Sequence, residues 1–231
     1  MNSPIILALD TKDLAEAEKW IEISMPTINH FKIGLEFYLK HGLDSIAALK
    51  KKYQFNLFLD LKLYDIPNTV KGAVESVAGL EPKFLTVHAS GGSKMITAAA
   101  SALPNGSITA VTVLTSFSDI DFSLLGFKEN IEKTVLLWAS QAIKSGASSL
   151  VCSPHEAKLI RSLSQDVVII TPGVRLPGDD KGDQSRVMTP RQAIDNGANF
   201  VVIGRSITNE GAKGDSAMEK KIKEISESLQ S

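Results

Sequence analysis

The chain has 231 residues, 43% of them apolar, which suits one large domain (residues 1–231) with a sizeable core. With 25 basic and 26 acidic residues the net charge is −1, so the basic surplus that nucleic-acid binding demands is missing. A lone cysteine, Cys152, excludes an internal disulfide framework and a multi-cysteine metal site, and no apolar stretch nears the ~18 residues of a membrane span. The start of the chain also lacks a basic segment followed by an apolar signal core, so the protein is expected to be soluble and cytoplasmic.

Residues 4–9 (PIILAL) form a short apolar run closed by Asp10, the pattern of a parallel strand buried on both faces. Residues 13–23 follow with helical period, Leu14, Ala17, Trp20 and Ile21 on one side and Glu16, Glu18 and Lys19 on the other. Residues 30–33 read as a second strand carrying Lys32, and residues 35–52 as a second helix interrupted near Gly42. Residues 55–62 make the third strand, which ends in Asp60-Leu61-Lys62. Alternation along a strand places Asp60 and Lys62 on one face. Burying such groups costs several kcal/mol unless they pair or serve a site. Asp65 stands just before Pro67, which opens a helix over residues 67–78.

Residues 83–88 (KFLTVH) are the fourth strand, and Gly91-Gly92-Ser93 opens the fourth helix. Residues 107–114 (SITAVTVL) form the fifth strand, with a polar loop at Thr115-Ser116. A long amphipathic helix over residues 129–145 ends at Gly146. The sixth strand and helix follow at 149–152 and 154–163, and the seventh strand at 167–171. A loop rich in Gly, Pro and charge spans residues 176–188 beside Arg175 and reads as a lid. A short helix at 190–196, an eighth strand at 200–203 and a last helix at 216–229 complete the chain.

Eight strands alternating with about eight helices give an α/β fold, a single-domain parallel (β/α)8 TIM barrel; a doubly wound open sheet is the alternative, with fewer strands. Asp10, Lys32, Asp60, Lys62, Thr115, Arg175 and Arg205 all fall at or just beyond the C-terminal ends of strands. In a barrel these ends converge on one mouth, where active sites sit. The opposite ends show no similar pattern. Ile203-Gly204-Arg205-Ser206 leads from a strand into a helical turn, with a glycine for close backbone approach and an arginine for charge, and suggests a phosphate site. His88 and His155 have no acid or second histidine at useful spacing and read as structural; Cys152, Trp20 and Trp138 read as core. With no dinucleotide fingerprint, no metal-binding histidine cluster and no Ser/His/Asp set, the expected chemistry is free of cofactor and metal, and electrostatic.

The stretches DLKLYDIPNT, ALD at the first strand, FKIG at the second, VTVLTS at the fifth, TPGVR with a later GDQ, and VIGRSIT at the eighth closely resemble the orotidine 5′-phosphate decarboxylase family. The resemblance covers nearly the whole chain, motifs in order. It implies conversion of orotidine 5′-phosphate to UMP and CO2 in de novo pyrimidine synthesis, without a cofactor. It implies Lys62 as proton donor to C6 of the pyrimidine, with Lys32, Asp60 and Asp65 completing a charged network. Asp10 and Lys32 resemble the ribose contacts; Thr115 and Ser116 would meet the pyrimidine edge. Gln184, Arg205 and the Gly204 backbone resemble the phosphate grip, with Arg175 beside it. A homodimer is implied in which Asp65, Ile66 and Thr69 complete the partner's site. Two rivals stand beside this reading: a metal-dependent sugar-phosphate decarboxylase or epimerase on a related barrel, which would want an acid where Lys32 stands, and a catalytically idle phosphate-binding barrel.

Overall fold

A computed structural model describes residues 3–176 and 188–229. Its strands are β1 (Ile5–Ala8), β2 (His30–Gly34), β3 (Asn56–Leu63), β4 (Phe84–His88), β5 (Ser107–Val111), β6 (Ser149–Val151), β7 (Val168–Thr171) and β8 (Phe200–Ile203). Each strand pairs in parallel with the next, and β8 closes on β1, giving a (β/α)8 barrel.

Alternation sorts the side chains into two apolar layers. Ile6, Ala8, Phe58, Phe84, Ile170 and Val202 point into the barrel and pack on one another. Ile5, Leu7, Phe31, Ile33, Leu57 and Leu59, one step out of phase, join the layer between sheet and helices. The inward phase of β2 and β3 therefore runs His30, Lys32 and Phe58, Asp60, which carries the two charged groups to the inner wall at the mouth.

The helices are α1 (Leu14–Ser24), α2 (Leu35–Tyr53), α3 (Pro67–Ala78), α4 (Gly92–Ala102), α5 (Asp119–Leu124), α6 (Ile131–Lys144), α7 (Ala157–Leu163), α8 (Pro190–Asp195), α9 (Arg205–Gly211) and α10 (Asp215–Ser228). The α1 N-cap is Asp13, whose side chain accepts from the amides of Ala15 and Glu16, which leaves Asp10 free of capping duty. Gly42 breaks α2 as its position suggested, with φ 71° and ψ −172°. Two short helices exceed the simple alternation. The loop after β5 folds into α5 because Ser118 and Asp121 form a reciprocal capping box, and the turn after β8 becomes α9.

The N-terminal end of the barrel is polar after all, though with neutral groups. Ser107 Oγ lies 2.6 Å from both Ser148 Oγ and Ser149 Oγ, and Thr109 Oγ1 lies 2.6 Å from Ser149 Oγ. His30 sits nearby among Phe84 and Phe200, with ring centroids 6.4 and 4.8 Å away. Burial, reinforced by Lys83, pushes its pKa down to about 4, which keeps the ring neutral in the folded protein. Cys152 is a buried thiol, Trp20 is buried and Trp138 packs against the outer layer, all as structural residues.

Candidate active site

Four charged side chains from three strands line up across the mouth. Lys32 Nζ donates to Asp10 Oδ1 at 2.9 Å and lies 3.5 Å from Asp60 Oδ2. Lys62 Nζ donates to Asp60 Oδ1 at 2.7 Å. The order is Asp10, Lys32, Asp60, Lys62, with signs alternating throughout. Gly34 makes room for this array, since a Cβ there would come 3.1 Å from Lys32 Nζ.

Burial decides how these charges behave. The Lys32 and Asp60 side chains are only 12% and 11% exposed, whereas Lys62 is 33% exposed and Asp10 55%. Burial works to raise the Asp60 carboxyl, but the Lys32 and Lys62 ammonium groups and hydrogen bonds from Lys62 and Thr86 outweigh it and hold it below the ordinary carboxylate range. Burial likewise works to lower Lys32, and the Asp60 and Asp10 charges overcome it and hold its ammonium above the ordinary lysine range. Each ion survives drying because it has an opposite neighbour.

Lys62 does not reach the mouth by plain alternation. Between the pairs Leu59↔Leu85 and Leu63↔Val87 the register shifts, so four steps on β3 match two on β4. Lys62 lies in this bulge with φ 48°, a left-handed conformation that costs a residue with a Cβ about 1–2 kcal/mol. Bulges of this kind re-aim side chains beside active sites, and strained backbone gathers there. The ladder to β2 remains regular as far as Gly34↔Asp60.

Thr86 was not among the residues expected at the site. It is fully buried on β4, accepts from the Lys62 backbone N–H at 2.8 Å and donates to Asp60 Oδ1 at 3.0 Å. Its only signal in the sequence is a hydroxyl residue within the otherwise apolar run of β4.

A cavity of about 230 Å³ opens against this array, lined by Lys32, Asp60 and Lys62, by Thr115 and Ser116, and by apolar residues including Phe58, Val111, Val151 and Val202. Thr115 is buried and Ser116 exposed, both within its lining. Gly204 and Arg205 sit just past β8, where Gly204 caps α9 and approaches β1 so closely that a Cβ would meet the Ala8 Cβ at 3.3 Å. Arg205 is exposed; Arg175 donates from Nη1 to the Val174 carbonyl at 2.8 Å, and its backbone N–H to the Met188 carbonyl at 2.9 Å. Neither arginine lines the cavity. Gln184 and most of the expected lid lie outside the described residues.

Asp65, Ile66 and Thr69 are exposed beyond β3 and are not brought to this chain's own cavity. The Asp65 carboxylate accepts from the adjacent Ile66 N–H at 2.6 Å. His88 meets Tyr64 edge-on, with centroids 5.7 Å apart, and burial, with the nearby Lys62 charge, lowers its pKa. Among the described residues no group of three or more His, Cys, Asp and Glu is placed to hold a metal ion.

A family model described as orotidine 5′-phosphate decarboxylase / HUMPS family matches residues 3–220. The chain is 46% identical over 218 residues to a Thermobifida fusca protein named orotidine 5′-phosphate decarboxylase, covering 94% of each chain. It is 43% identical over 219 residues to a protein of that name from Wolbachia pipientis, covering 93% of this chain and 96% of the relative. The crystal structure of orotidine 5′-phosphate decarboxylase from Lactobacillus acidophilus superposes with a TM-score of 0.84 at 31% identity over 100% of both chains.

Proposed function

The chain belongs to the orotidine 5′-phosphate decarboxylase / HUMPS family, and from that premise we propose that it decarboxylates orotidine 5′-phosphate to UMP at the mouth of its barrel. The observation that carries this reading is the Asp10–Lys32–Asp60–Lys62 array against an apolar cavity. It is an ordered array of opposite charges with its central Lys32–Asp60 pair shielded from water, the kind of environment in which electrostatic stabilisation is strong.

The pyrimidine enters the cavity with its carboxylate toward Asp60 and Lys62, and its edge against Thr115 and Ser116. The bond from C6 to the carboxylate breaks, CO2 leaves, and the electron pair stays on C6. The Lys62 ammonium stabilises that charge and then transfers a proton to C6. Asp60 aligns both lysines, and Asp10 with Lys32 holds the ribose hydroxyls. The Gly204 backbone, Arg205 and Gln184 grip the phosphate beside Arg175. Phosphate binding, remote from the reacting carbon, contributes to transition-state stabilisation through closure of the site.

The working unit in this reading is a cytoplasmic homodimer of single-domain subunits. Asp65, Ile66 and Thr69 reach the partner's site across a two-fold axis. Exposed apolar side chains on the same side of the barrel support it: Tyr64 is 62% exposed, Ile66 67%, Leu125 56% and Phe127 40%, and Tyr64, Leu125 and Phe127 line one shared groove.

The metal-dependent sugar-phosphate reading has little to rest on, because the carboxylates a divalent ion would need are already neutralised by Lys32 and Lys62. Incubation with orotidine 5′-phosphate, with and without a chelator, decides between the readings. Equal loss of the substrate's ultraviolet band in both samples supports cofactor-free decarboxylation. No loss in either, or loss only without chelator, rejects it.

A further inference from the structure

We propose that Thr86 is a positioning residue for the decarboxylation, the clamp that holds Lys62 in its bulged conformation and aims its ammonium past Asp60. The proposal rests on the reading of Lys62 as proton donor. The backbone geometry of β3 and β4 behind it exists whatever the substrate.

A residue at φ 48° one position before the end of a strand needs something to hold it. The β3–β4 ladder supplies nothing at that point, because it is interrupted between Leu59↔Leu85 and Leu63↔Val87. Thr86 is the one β4 residue between those two pairs and so stands opposite the bulge. Its hydroxyl takes over the role of the missing ladder carbonyl, accepting the Lys62 N–H at 2.8 Å. The same oxygen donates its proton to Asp60 Oδ1 at 3.0 Å, the oxygen that Lys62 Nζ contacts at 2.7 Å. A small ring results: Lys62 backbone, Thr86 hydroxyl, Asp60 carboxylate, Lys62 ammonium. The main chain and side chain of Lys62 are thus tied to one carboxylate through one hydroxyl.

That hydroxyl is fully buried and uses both its donor and its acceptor capacity within the ring. Serine and threonine each supply both roles through one oxygen. A valine would fill the volume yet leave the part-buried Lys62 N–H without this acceptor and weaken the fixing of Asp60. Thr86 does not line the cavity, so its influence passes through Lys62 and Asp60 and not through contact with the pyrimidine.

The test compares Thr86→Val, which keeps the shape, with Thr86→Ser, which keeps the hydroxyl. In turnover of orotidine 5′-phosphate, Thr86→Val should lower kcat about 10- to 100-fold, the effect of losing a buried hydrogen bond to a charged group. KM and the Kd for UMP should stay within about threefold, and Thr86→Ser should return kcat to within about threefold of the parent, since cavity and phosphate grip are untouched. Hydrogen exchange at the Lys62 amide should be at least about tenfold faster in Thr86→Val than in Thr86→Ser, with the amides of Leu57 and Leu59 unchanged. A parental kcat in Thr86→Val, a serine variant as slow as the valine one, or a KM and a Kd for UMP that rise in step with the loss of kcat would overturn the proposal. Should the parent protein leave orotidine 5′-phosphate untouched, the functional reading fails by itself. The Lys62 amide then still decides the clamp: selective loss of protection in Thr86→Val supports it, and unchanged protection refutes it.

Discussion

Replacing Asp60 with Asn removes the negative charge between two ammonium groups while keeping the side chain's shape and an oxygen for Thr86. Asp60 lies 2.7 Å from Lys62 Nζ and 3.5 Å from Lys32 Nζ. At an effective dielectric near 20 those attractions are roughly 6 and 5 kcal/mol, before the cost of drying the ions. Drying takes back several kcal/mol per ion, so the gross sum is not the net loss. Breaking one partner of a buried pair costs about 3–5 kcal/mol in general. The lower end applies here, because Lys32 keeps Asp10 at 2.9 Å and the Lys62 side chain, 33% exposed, can take up water.

The expected loss of about 3 kcal/mol lowers the urea midpoint by about 1 M or somewhat more. Its pH dependence has a definite sign. Asp60's carboxyl is depressed in the folded protein, so its stabilisation is fully present above the unfolded carboxylate pKa of about 3.9 and disappears as pH falls through the lower folded value. The gap between parent and Asp60→Asn should therefore be constant from about pH 5 to 8 and close in stronger acid. Equilibrium urea unfolding followed by circular dichroism across that range measures it. An Asn variant as stable as the parent at pH 7, or a gap that closes toward alkaline pH, would refute the electrostatic account of the network.

Lys62→Ala should abolish turnover while the Kd for UMP changes only a few-fold, as titration calorimetry would show, because the proposed phosphate grip is on other strands; near-parental turnover would remove Lys62 from the proton transfer. Arg205→Ala should weaken UMP by about 10-fold or more, as expected for a charged contact, and leave uridine nearly unaffected; equal losses in competition binding would place the phosphate elsewhere. Subunit exchange between inactive Lys62→Ala and Asp65→Ala dimers should restore activity toward about a quarter of the parent level, since random two-fold pairing leaves about one site in four whole. No recovery in a mixture whose hybrids are verified by native mass spectrometry would put Asp65 in its own subunit's site.

Strand periodicity made much of this architecture legible. Continuous apolar runs closed by Asp10 or by Asp60-Leu61-Lys62 placed the parallel strands and the mouth, because side-chain alternation is a local property. Helix ends were less legible: α7 begins at Ala157, past a turn at residues 154–156, and α6 begins at Ile131 behind its Asn130 cap. The β3 bulge was hidden, since it arises from the partnership with β4 and not from any residue that favours positive φ. Thr86 was hidden for the same reason: a threonine is ordinary in a strand until the ladder opposite it breaks. Asp65, Ile66 and Thr69 illustrate another limit. Their motif is plain in the sequence, yet one chain carries them to its surface, so the role proposed for them can be read only with a second subunit in place.

The most direct measurement is the proton NMR spectrum of the product formed from orotidine 5′-phosphate in D2O. The account predicts UMP with deuterium at C6, delivered from the exchanged Lys62 ammonium, in amounts equal to the CO2 released and with none formed by Lys62→Ala. Unchanged orotidine 5′-phosphate after prolonged incubation with the parent protein, or C6-deuterated UMP formed equally well by Lys62→Ala, would contradict it.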